Sequence, residues 1–452
     1  MSREDSQRAL QYHKRERPGK TEVIPSKPIG TPEEFALAYS PGALFPTKGI
    51  AKNRWNAYKY TNKGNLVAIV SDGSSVANLG NTGALATKHM MEGISMLLKT
   101  YADIDAFDIE IAENDIDKIV EIIHAMAATF GAISLDYISA PRCMEIESRL
   151  KLILDIPVMH NEQHASAVII CAAFINAAEI AGKEIGSMRI VIDGVDTSTL
   201  STVNLLLKLG VREEDIVIID NKDLFPISRS YLSDEIYDII SRNSLEISIN
   251  EALNGADLLL ESTEGHHINK EALDKMAASP IIFLLSATTS IDYYSTIKWR
   301  PDAIVASREN TAPNQIENIL ASPYLFRGAL DSYATVINES MLLSAVRSIA
   351  MLARQKAPAS IEKMYHRKLS YGKEYILPKL GDKRLLTEVS AAVAQAAIDS
   401  GIARRYISNW KVYRDVLLSR MERGNHFRSH ILHTGRDGNG LHRRYIRGIP
   451  EF

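Results

Sequence analysis

A chain of 452 residues is long enough for two or three domains, each with a core of its own. Its 46% hydrophobic and 24% charged content is that of an ordinary soluble globular protein. Its 52 basic and 55 acidic side chains, a formal charge of −3, exclude a global electrostatic pull toward nucleic acid or an anionic membrane.

Two cysteines, Cys143 and Cys171, without CxxC spacing, give no disulfide framework and suit a reduced, cytoplasmic protein. In chain order, the opening "MSREDSQRALQYHKRERPGK" is too charged for a secretory signal, having no apolar centre. To about residue 160 the chain mixes helices with short strands such as "NLVAIVSDG" and "FDIEI", and it holds a turn-rich loop, "AYSPGALFP". The most apolar run, "SAVIICAAFINAAEIAG", falls short of a bilayer span and reads as a buried helix over 164–182. A regular alternation follows: strand 188–193, helix 198–209, strand 215–220, then strands in "ADLLLES", "PIIFLLSA" and "DAIVAS". That rhythm predicts a parallel, doubly wound sheet. Residues 332–424 read as mainly helical, and a Gly-, His- and Arg-rich tail begins at about 425.

The turn after strand 188–193, "DGVDTSTLST", has the outline of a nucleotide-binding turn, but Val195, Asp196, Thr197 and Ser198 stand where such a turn carries glycines. Asp196 or Thr197 there is also a good helix N-cap, whose side-chain oxygen accepts the bonds that a phosphate would otherwise take. In the tail, His426, His430 and His433 have helical spacing, and Glu261, Glu264, His266 and His267 share the loop "ESTEGHH". A solvated basic tail and a polar surface loop are the favoured readings of these two.

A co-linear set of motifs says more. "RPGKTEVIPSKPI", "LAYSPG", "AYKYTNKGNLVAIVSDGS", "LGNTGALA", "MEG", "DIDAFDIEI", "GAISLDYISAP", "IPVMHNEQHASA", "PNQIEN", "FRGALD" and "AIDSGIAR" resemble the bacterial malic enzymes, in the right order, over roughly residues 8–424. The resemblance implies an N-terminal malic-enzyme α/β domain, a Rossmann-like domain with a doubly wound parallel sheet, and a helical C-terminal segment. The boundaries expected are 1–163, 164–400, a C-terminal helix at 401–424 and a basic tail at 425–452. It also implies a homodimer, and oxidative decarboxylation of malate to pyruvate and carbon dioxide with NAD(P) and Mg²⁺ or Mn²⁺.

Position by position, the family's tyrosine acid falls at Tyr39, which is retained. Its lysine base falls at Ile94, which carries no proton, and on a helix Lys88 and Lys99 lie about 120° and about 140° away from it. The metal ligands fall at Asp136, Tyr137 and Glu162, where the carboxylates differ in length from the family's and the middle ligand is a phenol. The substrate-side asparagines fall at Ala287, a loss, and Asn318, retained. The nucleotide turn falls at Gly194, Asp196 and Ser198, with Asp220 at the end of the next strand where a ribose-binding acid would sit.

Taken together, these substitutions favour a homologue that has lost ordinary malate oxidation. On that reading it is a pseudoenzyme, or a protein binding a small carboxylic acid or a partner, with a degenerate NAD-binding motif, an altered metal site and no cofactor. Two alternatives stay open: a divergent but active malic enzyme, and a cofactor-independent lyase or decarboxylase in the same cleft. Neither a membrane nor nucleic acid is expected as a partner.

Overall fold

Strands rich in Val, Ile and Leu build two parallel sheets. In the computed structural model, which describes residues 3–14, 18–76, 79–219, 239, 248–262, 268–286, 291–309 and 312–421, the first sheet contains β1 (Leu66–Ser71), β2 (Asp105–Glu110), β3 (Ala132–Leu135) and β4 (Val158–His160). Their order is β2-β1-β3-β4. Every residue of β1 is buried, as a central parallel strand covered on both faces requires. The second sheet, of β5 (Ile190–Asp193), β6 (Ile216–Ile219), β7 (Leu258–Glu261), β8 (Ile281–Leu284) and β9 (Ile304–Ser307), has the order β6-β5-β7-β8-β9. All pairings within both sheets are parallel.

The helices that matter for the site are α1 (Pro32–Ala38), α2 (Ala84–Ala102), α3 (Arg142–Ile153), α4 (Asn161–Ala181), α5 (Thr197–Lys208), α6 (Ser322–Asp331), α7 (Glu339–Arg354) and α8 (Ser390–Asp399). Helix α4 buries residues on every side, Ala167, Val168, Ile169 and Ile170 among them, and ends at Gly182 in the left-handed conformation. Among the described residues it alone is long and apolar enough to cross a membrane, but most of that stretch is buried inside the fold. The composition that resembles a membrane span here serves a core helix. Asn176, fully buried on α4, donates to Ala350 O at 2.9 Å and Ile376 O at 2.8 Å and accepts from Arg354 Nε at 2.8 Å. Those bonds satisfy the amide without water and tie α4 to α7.

One apolar cluster joins Ile69 and Ile133 of the first sheet to Phe174 of α4 and to Ile190 and Ile192 of the second. Val191, Leu259, Ile282 and Val305 face the other side of the second sheet in a separate cluster. This is the two-residue alternation of strand side chains. The chain thus has the expected α/β architecture, with a four-stranded parallel sheet in its N-terminal part, a Rossmann-like parallel sheet and a helical C-terminal segment.

Several details differ from the sequence reading, and the segment expected as a helix from 401 turns helical only at residue 410. Helix α4 begins at Asn161, three residues before the expected 164, because β4 runs straight into it at His160. Glu162 then occupies the first turn, where the helix dipole favours a carboxylate. The stretch 367–380, expected within a mainly helical region, carries no helix, and it contains Gly372 and Pro378.

Candidate active site

In each sheet the strand order reverses beside the first strand, and a parallel sheet opens a crevice at the C-terminal strand ends there. In the first sheet this point lies between β1 and β3. Beyond β1, Asp72 is ion-paired to Arg142 Nη2 at 2.8 Å, and Gly73 has φ 70°. A Cβ on Gly73 would stand 2.3 Å from Gly83 O, so only glycine fits this close approach.

Beyond β3, Asp136 is buried. Its carboxylate accepts from Ser134 Oγ at 2.5 Å and Asn161 Nδ2 at 2.8 Å. Burial pushes its carboxyl up to about 6 despite those two donors. Tyr137 follows with φ 53°, an uncommon conformation for a bulky residue, and its carbonyl accepts from Ser75 N at 3.1 Å. Burial, then Asp136 and Glu162, raise its phenol well above the usual range. The hydroxyl therefore stays neutral.

The start of α4 completes this edge. Glu147 of α3 accepts from His160 N at 2.9 Å, His164 Nε2 at 3.0 Å and Lys151 Nζ at 3.0 Å, which fixes the first turn. Asn161 spends its amide nitrogen on Asp136, and its Oδ1 has no hydrogen-bond partner among the described residues. Glu162, half-buried by exposure but surrounded by protein, has its carboxyl pushed up to about 7 by burial, then Asp136, and further by Asp196; Arg308 opposes the shift. The charges of Asp136 at one sheet and Asp196 at the other both act on Glu162, so the C-terminal edges of the two sheets lie near each other here, and the space between them is the candidate cleft.

At the second reversal, between β5 and β7, Gly194 has φ 94° and donates its N–H to Ile219 O at 2.8 Å. Asp196 is the N-cap of α5. Its carboxylate accepts from Thr199 N at 2.8 Å, Ser198 Oγ at 2.7 Å and, across the crevice, Ser262 Oγ at 2.6 Å. Thr199 Oγ1 accepts from Asp196 N at 2.8 Å, completing a capping box.

The remaining expected positions scatter. Tyr39 ends α1, is 70% exposed and packs beside Phe35 at 5.8 Å between ring centroids. Ile94 is half-buried on α2 against the apolar core. Lys88 is ion-paired with Asp108, and Lys99 with Asp103 and Asp105, so neither turns toward residue 94. Asn318 opens a short 3₁₀ turn after β9 and is half-buried. Ala287, Asp220, Glu264, His266, His267, His426, His430 and His433 lie outside the described residues.

Among the described residues no group of three or more His, Cys, Asp or Glu side chains is placed to hold a metal. The oxygen donors brought to this edge include Asp136, Glu162 and the amide oxygen of Asn161. Sequence reading placed Asn161 at a changed family carboxylate but missed Ser134, Ser262 and Arg308. Ser134 and Ser262 are polar residues in or next to apolar strands, one within two positions of a recognised acid and one at a strand's C-terminal end. Arg308 directly follows β9 and is exposed. Position at the C-terminal strand edge is the signal that could have found them.

A family profile described as the N-terminal domain of malic enzyme matches residues 18–115. The NADP-dependent malic enzyme of Escherichia coli (strain K12) is 40% identical over 435 residues, which is 95% of this chain and 57% of that relative. The chain therefore spans somewhat more than half the length of that longer protein. The NADP-dependent malic enzyme of Halomonas elongata is 39% identical over 401 residues, covering 88% of this chain and 95% of the relative. The malic enzyme structure from Pyrococcus horikoshii Ot3 superposes with a TM-score of 0.82 at 32% identity, over 92% of this chain and 96% of that one.

These relatives correct the expectation of a homologue that has lost the family reaction. Identity of 39% runs over 95% of the NADP-dependent malic enzyme of Halomonas elongata, so the pseudoenzyme reading falls. The absence of a cofactor, the degenerate NAD-binding motif and the altered metal site, as evidence of lost function, fall with it. The physical reason is that the exchanges lie within a retained shell: Gly194 keeps its positive φ, and Asp136 is held beside the helix turn that carries Glu162. Exchanges at a few motif positions weighed too heavily against that shell. The chain belongs to the malic enzyme family.

Proposed function

We propose that the protein is an active malic enzyme, oxidatively decarboxylating malate to pyruvate and carbon dioxide with NAD(P) and Mg²⁺ or Mn²⁺. The observation that carries this reading is its 39% identity over 95% of the NADP-dependent malic enzyme of Halomonas elongata. The donor set supports it in kind. Asp136, Glu162 and the unpartnered Asn161 Oδ1 are oxygen ligands, as a hard divalent cation prefers. Two carboxyls whose ionisation burial opposes would be charged again by a bound cation. For the nucleotide, Gly194 and the N-terminus of α5 keep the backbone shape of a phosphate turn, while Asp196 places a negative charge there.

A bound nucleotide supplies the hydride acceptor, and a bound cation supplies the charge that polarises a ketone oxygen. The chain's residues then divide as follows. Asp136 and Glu162 would hold the cation, and Asn161 and Ser134 fix the orientation of Asp136. Arg308, at the mouth near Glu162, binds a substrate carboxylate. The family motifs assign proton delivery to the Tyr39 phenol and substrate orientation to Asn318, although Tyr39 stands 70% exposed at the end of α1. Ile94 contributes only packing, so the hydroxyl proton goes to another group.

Exposed apolar side chains at Leu37, Leu44 and Phe45 in the N-terminal helices support a homodimer. The cytoplasm is the compartment that two free, buried cysteines suit. Division near residues 163 and 400 is part of the same proposal. Purified protein with Mn²⁺, malate and NAD or NADP should form NAD(P)H and pyruvate in equal amounts. No product with either nucleotide, from folded protein, would refute the reading.

A further inference from the structure

A cavity of about 270 Å³ opens at the N-terminal ends of β1 and β2, on the opposite side of the first sheet from the cleft. The six residues of β1 separate the two by roughly 20 Å at 3.3 Å per residue. The volume is at the lower edge of the roughly 300–1,000 Å³ of small-molecule sites, so it suits a small ligand.

Its wall includes Arg327, Arg405 and Arg420 against two carboxylates, Asp103 and Asp331. Both carboxylates are already matched. Asp331 accepts from Arg327 Nε at 3.0 Å and Nη2 at 2.7 Å, from the Tyr413 hydroxyl at 2.8 Å and from Arg420 Nη1 at 3.3 Å. Asp103 is paired with Lys99 at 2.6 Å.

The guanidinium groups are not saturated. Arg327, 1% exposed, spends its third bond on Asn65 Oδ1 at 2.5 Å and keeps two of its five donors. Arg405 is exposed and lies 5.6 Å from the centre of the Tyr333 ring, which in turn lies 4.6 Å from that of Tyr58. Among the described residues Arg405 makes no ion pair. The result is a small chamber with aromatic walls, surplus positive charge and fork-shaped donors, the geometry that recognises planar or tetrahedral oxyanions.

We propose that this cavity binds a small oxyanion, a carboxylate or a phosphate, with Arg405 and Arg420 as its principal contacts. The site is separate from the cleft and does not depend on the reaction assigned there. Isothermal titration of the full chain with inorganic phosphate, and separately with succinate, tests it, and the arm that binds identifies the source chemistry. Wild-type protein should bind at least one of them at millimolar concentrations or better. Arg405→Gln should weaken that binding at least tenfold with an unchanged circular-dichroism spectrum, and Arg405→Lys should recover part of it. Asp136→Asn, in the cleft, should leave it unaltered. No heat from either anion, equal affinity in Arg405→Gln, or loss of binding in Asp136→Asn would each overturn the proposal.

Discussion

Asp196 is the residue whose replacement should change nucleotide affinity most. A pyrophosphate resting on the first amides of α5 would lie on the order of 4 Å from a carboxylate that caps the same turn. Two like charges at that separation repel by about 1 kcal/mol in water and about 4 kcal/mol at an effective dielectric of 20. Asp196 is half-buried and three donors share its charge, so the true figure falls between these limits. At about 1.4 kcal/mol per decade, Asp196→Gly should tighten NADP or NAD binding by about fivefold or more.

Asp196→Asn separates charge from bulk. Asparagine caps a helix as well as aspartate does, so it removes the charge while keeping the bond from Thr199 N. The glycine variant should cost only a few tenths of a kcal/mol for the cap, plus about 1 kcal/mol for the lost Ser262 bond. Nucleotide titration by calorimetry or fluorescence reads both variants directly. If charge is the obstacle, the two gain similarly; if bulk matters, only glycine gains. Unchanged affinity in both, with melting temperatures near wild type, would mean that Asp196 does not limit binding.

Replacing Ile94 by Lys should raise malate turnover about a hundredfold or more, the usual scale of a positioned acid–base group, with little effect on KM; an unchanged kcat would remove residue 94 from the chemistry. Glu162, with a carboxyl raised from 4.5 to about 7, binds more protons folded than unfolded between those values. In chelator-treated protein its contribution to stability therefore falls as pH rises through that window, by on the order of 2–3 kcal/mol. Urea melts at pH 5 and 8 should show that loss, Glu162→Gln should flatten it, and Mn²⁺ should reverse it. A flat wild-type profile would contradict the assignment. Asp331→Asn strands the buried Arg327 charge and should cost about 3–5 kcal/mol in denaturant unfolding, whereas a loss below about 1 kcal/mol would show that water reaches the guanidinium.

Several elements could be read directly from the residues. The apolar runs at 188–193 and 215–220 appear as β5 and β6, which start two residues and one residue later, and the helix expected at 198–209 appears as Thr197–Lys208. Their period and their Gly-bounded ends carry that information locally. Asp136 and Glu162 were recognised through motif order, but the bond from Asn161 that joins their elements spans 25 residues of sequence. No local pattern encodes such a contact. The same holds for Ser262 on Asp196, a pairing set by the strand order β6-β5-β7 rather than by either segment. Activity was misjudged for a related reason. A motif position reports one side chain, whereas the shape of a cleft is held by many residues around it.

Helix α4 has one more consequence. Because it is enclosed on nearly every side and its apolar contacts run into both sheets, neither sheet can lose its order without exposing it. Melting should accordingly be one event: a calorimetric scan of the intact chain is expected to show a single peak, with a calorimetric enthalpy equal to the van't Hoff value. Fragments cut on either side of this helix should lose solubility rather than fold as halves. The helix that seats the cleft thus also joins the two sheets into one cooperative unit.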